Sequence, residues 1–173
     1  MNEEILDVVD GETDEVTGQA PRSLCHGHPE LVHRVVHVLV FHPDGRLLLQ
    51  KRASTRQVQP GKWDMSVGGH ISAGETYAQA VLREMREELG IAASLSGLKH
   101  LFDFKLRSSF ESENVRVFSF VSPGPFAFQK EEIDEVAFFD ADTLRRRLAS
   151  GDTADLTPLL CSELERLFGS SVQ

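Results

Sequence analysis

The chain has 173 residues, of which 40% are hydrophobic and 26% charged, a composition that fits one globular domain with a sizeable core. Its formal net charge of −9 argues against a broad nucleic-acid-binding face, although a small anionic ligand stays compatible wherever a divalent metal reverses the local field. There is no membrane-spanning apolar run, no leader-like start and no disulfide framework among the two cysteines, so a cytoplasmic location is the default expectation.

The first half of the chain has the β-branched and alternating patterns of strands. Residues 1–30 are weakly patterned, and we expect them to form an N-terminal extension packed on or near the core. A turn at Pro43–Gly45 joins two apolar runs into a hairpin, and Gly68–Gly69 is expected to end the strand that follows. The predicted strands are Ile5–Val9, Val35–Phe41, Leu47–Gln50 and Trp63–Val67.

The middle of the chain predicts one strong helix, from about Thr76 to Leu89, with Gly90 in the position that ends it. At about 100° per residue, its apolar residues fall in one arc and three glutamates fall in the adjoining arc. The helix can therefore bury one stripe against a sheet while its edge presents carboxylates. The apolar arc consists of Ala78, Val81, Met85 and Leu89.

The remaining sequence predicts three more strands and two more helices. Asp140 or Asp142 caps a helix that ends near Ala149, and Thr157–Pro158 begins a last helix that ends near Phe168. Because strands and helices do not alternate in strict βαβ order, the expected fold class is α+β. The predicted strands are Leu98–Leu106, Val115–Val121 and Glu135–Phe139.

Three carboxylates of the predicted helix indicate a cation site. Glu84, Glu87 and Glu88 have the i, i+3, i+4 spacing that puts them on one side of the helix, where they repel each other. A bound cation relieves that repulsion, and Mg²⁺ prefers such oxygen ligands while keeping positions for water and phosphate. The alternative is a solvated charged face. The flanking glycines and the turn favour the cation.

Residues 69–91 match the pattern G-x5-E-x7-R-E-U-x-E-E-x-G-U at every position, where U is apolar. This is the Nudix box, and the chain closely resembles a Nudix hydrolase over roughly Leu31–Leu148. The resemblance implies one Nudix hydrolase domain over residues 1–173, folded as an α/β/α sandwich with a mixed β-sheet between helices. It also implies Mg²⁺- or Mn²⁺-dependent cleavage of a phosphoanhydride bond in a nucleoside diphosphate derivative or another organic diphosphate. Family members are often dimers, which leaves a homodimer open.

The resemblance implies a role for each carboxylate of the box. Glu87 and Glu88 are the expected metal ligands, and Glu84 is either a third ligand or the general base. The metal polarises a phosphoryl oxygen and stabilises the leaving phosphate. A carboxylate that is not fully committed to the metal accepts a proton from the attacking water.

Other residues of the box and its surroundings have implied supporting roles. Arg83 is expected to pair with Glu75 and so orient the carboxylates, and Gly69 lets the backbone and a carbonyl ligand approach the metal. The alternatives are an exposed surface pair and a simple turn. Upstream, Arg52 and Arg56 are candidates for binding substrate phosphates, since guanidinium groups bind phosphate bidentately, or they are ordinary surface residues.

A narrower resemblance runs through Leu49–Arg52, Pro60–Trp63 and Ser66–His70. It is similar to the Nudix branch that includes type I isopentenyl-diphosphate isomerase, which moves a double bond and hydrolyses nothing. That enzyme has a second metal site of three histidines and two glutamates. An alternative register pairs Glu113 with Val115, which would spoil the site here. The matching residues are His26, His33, His70, Glu111 and Glu113.

Two departures favour hydrolysis over isomerisation. Gly68 occupies the position of the isomerase's active-site cysteine, and glycine cannot shuttle a proton. The isomerase's box is degraded, whereas the box here is complete. Isopentenyl-diphosphate isomerisation is therefore the alternative activity, and the intact carboxylates disfavour a catalytically inactive nucleotide sensor.

Overall fold

The computed structural model describes residues 3–169, which contain nine strands and four α-helices. The strands are β1 (Ile5–Val9), β2 (Val16–Pro21), β3 (His33–Phe41), β4 (Leu47–Arg52), β5 (Trp63–Asp64), β6 (Val67–His70), β7 (Lys99–Arg107), β8 (Ser112–Val121) and β9 (Ile133–Phe139). The helices are α1 (Arg22–Cys25), α2 (Tyr77–Leu89), α3 (Ala141–Ser150) and α4 (Pro158–Gly169). None of these helices is long and apolar enough to cross a membrane.

Strand β3 lies at the centre of a mixed sheet. It pairs in parallel with β8 along its whole length and antiparallel with the short strand β6. The β3–β6 register places Val36 opposite Gly69 and His37 opposite Gly68. Strand β4 pairs antiparallel with β9 and β5. This register fixes where the backbone of Gly68 and Gly69 lies relative to β3, next to the candidate site.

The two faces of β3 pack against different helices, because successive side chains of a strand point to opposite faces. Val36, Val38 and Val40 pack with the buried stripe of α2. Val35 and Leu39 pack with buried leucines of α3 and α4. With helices on both faces, the fold is an α/β/α sandwich with a mixed sheet, and the predicted α+β class is confirmed.

Local sequence fixes both ends of α2. The side chain of Thr76 accepts a hydrogen bond from the backbone of Gln79, and the Gln79 side chain accepts one from the Thr76 N–H at 2.9 Å. Gly90 ends the helix in the left-handed conformation, with φ of 67°, where glycine is least strained. The predicted helix is confirmed, although Ala80 and not Ala78 is fully buried in its apolar stripe.

The prediction that Gly68–Gly69 ends a strand was wrong. Both glycines lie within β6, and the expected strand Trp63–Val67 is divided between β5 and β6. Glycine indicates a break when it is read locally, whereas here the pairing with β3 satisfies the backbone and the missing side chains allow close approach from both faces.

The last two helices begin at the expected caps. Asp140 Oδ1 accepts from the backbone N–H of Thr143 at 2.8 Å, and Thr157 Oγ1 accepts from that of Leu160 at 3.1 Å. Of the two candidate caps for α3, Asp140 is therefore the one used, and Asp142 lies in the first turn.

The N-terminal segment approaches β3 through a hairpin. Strands β1 and β2 pair antiparallel, and Val8 of β1 lies opposite His33 of β3. Leu6 and Cys25 are fully buried in a small apolar cluster below this hairpin. His26 directly follows α1, so the same packing positions its ring near the start of β3.

Candidate active site

Arg83 of α2 connects the parts of the carboxylate cluster. Its guanidinium donates to both oxygens of Glu75, at 2.9 Å and 2.8 Å, and to the backbone carbonyl of His70 at 3.0 Å. It also donates to Glu84 at 2.6 Å and to Glu87 at 3.2 Å. One planar group therefore holds two carboxylates of the helix, the turn before the helix and strand β6 in a fixed arrangement.

Gly69 lies directly against Glu84. A side chain at position 69 would place its Cβ 2.0 Å from both Cδ and Oε1 of Glu84. Such a distance is far below van der Waals contact, so no other residue fits here without displacing this carboxylate. Burial raises the pKa of Glu84, even though the adjacent Arg83 opposes that shift.

Glu88 is held by the strands beneath α2. Its Oε2 accepts from the backbone N–H of Gly68 at 3.2 Å and from Nε2 of Gln50 at 3.4 Å. Burial, followed by the charge of Glu84, raises the pKa of Glu88 to about 8. A neighbouring cation would favour the ionised form of this carboxylate.

A cavity of about 370 Å³ lies over these carboxylates. Glu132, from the segment that precedes β9, faces α2 across this cavity and adds a fourth carboxylate. The sequence analysis did not select it, although the acidic pair Glu131–Glu132 just before a predicted strand was a usable signal. The lining residues are Glu84, Glu87, Glu88, Gln129, Glu132 and Ile133.

The two candidate phosphate-binding arginines lie outside the cavity lining and are engaged by neighbouring groups. Arg52 donates to Asp64 at 3.1 Å and to the carbonyl of Val58 at 3.1 Å. Arg56 donates to Glu132 at 3.3 Å, at the edge of the cavity. Through its contact with Glu132, Arg56 is therefore closer to the carboxylates than Arg52 is.

A second cluster, of histidines and glutamates, gathers beside the end of β6. The nearest ligand atoms of His26, His33 and His70 lie within 4.8 Å of one another. The same limit holds for His33, Glu111 and Glu113. The Nε2 atoms of His26 and His70 are 3.2 Å apart, and Glu111 lies 3.4 Å from His26. We call these five residues the histidine cluster.

The structure has the glutamate register that completes the histidine cluster. Glu113 lies opposite His33 in the β3–β8 pairing, with 3.6 Å between Oε1 and His33 Nε2. The alternative residue, Val115, is a core side chain only 1% exposed. Parallel pairing of β8 with β3 therefore brings the Glu-x-Glu pair to the histidines.

The electrostatics of the histidine cluster favour neutral rings on two of its members. Burial, together with the nearby Arg22, lowers the pKa of His70 to about 2 and also lowers that of His26. His33 differs: burial works against its charged form, but the Glu113 carboxylate, 3.6 Å from Nε2, and the Leu31 carbonyl beside Nδ1 together outweigh burial and raise its pKa. Among residues 3–169, Nε2 of His33 has no hydrogen-bond partner although it is fully buried.

Comparison with known proteins agrees with this geometry. The NUDIX domain family matches residues 31–160. An uncharacterised Nudix hydrolase of Yersinia pestis is 37% identical over 148 residues, which cover 83% of this chain and 77% of the relative. The structure of DR0079 from Deinococcus radiodurans is similar with a TM-score of 0.77 at 29% identity, over 94% of this chain and 98% of that one.

The MutT protein from Methanosarcina mazei Go1 shares the fold, with a TM-score of 0.63 at 20% identity over 82% of this chain and 96% of its own. The sandwich fold and the arginine-held carboxylates together define a pyrophosphohydrolase. The chain belongs to the NUDIX domain family and is a Nudix hydrolase.

Proposed function

We propose that the enzyme is a Mg²⁺-dependent hydrolase, with Mn²⁺ as the alternative ion, that cleaves a diphosphate bond in a nucleoside diphosphate derivative or another organic diphosphate. The observation that carries this proposal is the carboxylate cluster that Arg83 and β6 hold against a 370 Å³ cavity. The donor set is all oxygen, which suits a hard cation that shares its coordination with phosphate.

The residues present fit such an ion. Glu84, Glu87 and Glu88 all line the cavity, and the absent side chain of Gly69 lets Glu84 lie against the backbone of β6. When bound, Mg²⁺ polarises the phosphoryl oxygens and stabilises the leaving phosphate. We assign Glu87 and Glu88 as its ligands, with Gly69 contributing through the local backbone.

Glu84 is either a third ligand or the general base that takes a proton from the attacking water. Its raised pKa, caused by burial, suits a group that must hold a proton during turnover. Arg83 and Glu75 position the cluster. Of the two candidate phosphate-binding residues, Arg56 has the stronger support, since its contact with Glu132 keeps it at the cavity edge.

The histidine cluster is proposed as a second metal site, for an ion softer than Mg²⁺, because imidazole nitrogens dominate its donor set. The support is the approach of His26, His33 and His70, together with the buried Nε2 of His33 that no described residue satisfies. Glu111 and Glu113 supply the carboxylates. This arrangement also supports membership in the isomerase-like branch of the family.

The variants Glu87→Gln and Glu88→Gln test the hydrolase. Each should lower turnover on the order of 100-fold or more while folding is retained, because each removes one carboxylate charge from the proposed site. The measurement is the formation of phosphate, pyrophosphate or phosphomonoester products from nucleoside di- and triphosphates, nucleotide sugars, dinucleoside polyphosphates and prenyl diphosphates with Mg²⁺ or Mn²⁺. Glu165→Gln, an exposed glutamate of α4, is the matched control. Near-normal turnover in both cluster variants would contradict the assignment.

Isopentenyl-diphosphate isomerisation is the second candidate, and the histidine cluster is the observation that favours it. Gly68 opposes it, since no proton-carrying side chain stands at that position. Deuterium uptake from heavy water into isopentenyl diphosphate separates the two activities. In labelled water, the phosphorus that takes up oxygen identifies the bond cleaved by a hydrolase.

We further propose that residues 1–173 act as one Nudix hydrolase domain, in which residues 3–30 of the N-terminal segment close one side of the histidine cluster. The contact of Val8 with β3 and the position of His26 support this arrangement. A small-molecule diphosphate is the proposed partner. Cytoplasmic location and a homodimer stay predictions, which fractionation and light scattering would test.

A further inference from the structure

One buried amide lies directly beneath the carboxylate cluster. Gln50 of β4 is 7% exposed, and the residues before it, Leu48 and Leu49, are core side chains. An apolar residue at position 50 would avoid the desolvation that a buried amide incurs when one of its groups is left without a partner. The amide therefore needs a reason beyond core packing.

The contacts of the Gln50 side chain with the carboxylate cluster supply the first part of that reason. Its Nε2 donates to Oε2 of Glu88 at 3.4 Å, and the backbone N–H of Gly68 reaches the same oxygen at 3.2 Å. Two donors from neighbouring strands thus hold one oxygen of the carboxylate. No described residue donates to the other oxygen, Oε1, and Glu88 lines the cavity.

The second part of the reason concerns the carbonyl oxygen of the same amide. Oε1 of Gln50 is buried and has no hydrogen-bond partner among residues 3–169. A buried carbonyl oxygen normally accepts from protein or from ordered water. The oxygen is closed off from the cavity that Glu88 lines, so it stays unfavourable to the fold, and the bond to Glu88 is the contact that offsets this cost.

We propose that Gln50 is a positioning residue for the hydrolysis, acting through Glu88. Its N–H fixes Oε2 of Glu88 so that Oε1 is presented to the cation. The proposal rests on the proposed function for its catalytic consequence, whereas its effect on cation binding is measurable without any substrate.

The test compares Gln50→Met, which keeps the length of the side chain and removes the hydrogen bond to Glu88, with Gln79→Met. Gln79 is a glutamine of the α2 cap, so its variant removes a hydrogen-bonding amide of the same kind but outside the cavity. The probe is Mn²⁺, followed by the electron paramagnetic resonance signal of the free ion. The site in question is the one lost in Glu88→Gln.

In Gln50→Met we expect Mn²⁺ to bind this site about tenfold more weakly and kcat to fall about tenfold, with little change in KM, because loss of a residue that orients a metal ligand typically costs 10- to 100-fold. Gln79→Met should lower the melting temperature and leave Mn²⁺ affinity unchanged. In the Glu88→Gln background, Gln50→Met should have no further effect on kcat.

Wild-type Mn²⁺ affinity and wild-type kcat in a folded Gln50→Met protein would overturn the proposal. So would a loss of kcat that persists in full in the Glu88→Gln background, since the substitution would then act through the fold.

Gln50→Glu is the second variant should Gln50→Met fail to fold. It keeps the shape but removes the N–H donor and places a carboxylate beside Glu88, so unchanged Mn²⁺ affinity there also overturns the proposal. If the wild type turned over none of the diphosphates, the proposed hydrolase activity would be contradicted. The Mn²⁺ titration would still decide the role of Gln50.

Discussion

The carboxylate cluster and the histidine cluster use the same short strand in different ways. From β6, the Gly68 N–H and the His70 carbonyl bond to Glu88 and Arg83 on the α2 side. The His70 ring instead joins His26 and His33 in the second cluster. The four residues of β6 therefore connect a cluster of carboxylates with a cluster made mostly of imidazole rings.

The clusters differ most in what holds them. Arg83 and backbone donors fix the carboxylates, so the protein itself balances much of their repulsion. The histidine cluster contains no comparable cation within its ligand set, and His33 leaves a buried nitrogen without a partner. The first cluster is therefore preorganised by its own side chains, whereas the second has a ligand atom that no described residue satisfies.

The two adjacent glycines of β6 give the largest expected contrast. In Gly69→Ala, the new Cβ would lie 2.0 Å from Glu84, which must leave its position. In Gly68→Ala, the nearest atoms are His37 Cδ2 at 3.2 Å and Met65 Sδ at 3.3 Å, a contact that small adjustments relieve. We expect kcat/KM to fall on the order of 100-fold in Gly69→Ala and less than about threefold in Gly68→Ala.

Steady-state kinetics on both purified variants measure this contrast, and circular dichroism confirms folding. Negligible loss in both variants would show that the cluster tolerates displacement of Glu84, and equally large losses would show that β6 as a whole is disturbed. Either result would remove the distinction between the two glycines.

Arg83→Lys is expected to have the next largest effect, a decrease in kcat of about tenfold. Lysine keeps the charge but cannot donate to Glu75, Glu84 and the His70 carbonyl from one rigid plane. Because the lost function is orientation, Mn²⁺ affinity at the carboxylates should weaken with kcat. Arg86→Lys, at an exposed position of the same helix, is the control. A kcat unchanged by Arg83→Lys would mean that charge alone suffices.

Local signals explain what the sequence predicted well. The caps and the apolar stripe of α2 lie within fifteen or so residues, where helix periodicity and end signals act. The contact between Arg83 and Glu75 also spans only eight residues, and the Nudix resemblance names it in advance. The fold class and the box were therefore within reach of the sequence alone.

Contacts between distant segments explain what the sequence did not predict. Gly68–Gly69 indicates a strand end until its pairing with β3, some thirty residues earlier, is known. Gln50 and Glu132 reach the carboxylates from β4 and from the segment before β9, and neither has a local pattern that indicates this. Topology, which single-residue patterns do not encode, brings these groups together.

His33→Ala tests the histidine cluster, on the other side of β6 from the carboxylates. It should remove one bound equivalent of Zn²⁺ or Co²⁺, because His33 belongs to both ligand groups of the histidine cluster. Turnover with Mg²⁺ should fall far less than in Gly69→Ala. Equilibrium dialysis with metal analysis gives the stoichiometry, and His100→Ala, an exposed histidine of β7, is the control. Unchanged stoichiometry would mean that the cluster binds no such ion.

The smallest effect on turnover is expected at His37, which faces α4 beside the histidine cluster. Its Nδ1 lies 3.0 Å from Glu163, and both residues are buried. Burial opposes protonation, but Glu163, and then Glu113 and Asp64, outweigh it and raise the pKa of His37. A group whose pKa is raised on folding adds stability below its unfolded pKa of about 6.5 and loses that contribution as pH rises through the folded value.

We therefore expect the free energy of unfolding to decrease between pH 6 and pH 9 in the wild type, and to decrease less steeply in His37→Gln. Urea denaturation across this range measures both slopes, and the difference between them isolates His37 from other titrating groups, including Glu88. His42→Gln, which removes a partly exposed histidine from the end of the β3–β4 hairpin, is the control. Identical slopes in the wild type and His37→Gln would mean that His37 keeps the same charge throughout the range. The pair with Glu163 would then stabilise α4 on the sheet without any dependence on pH.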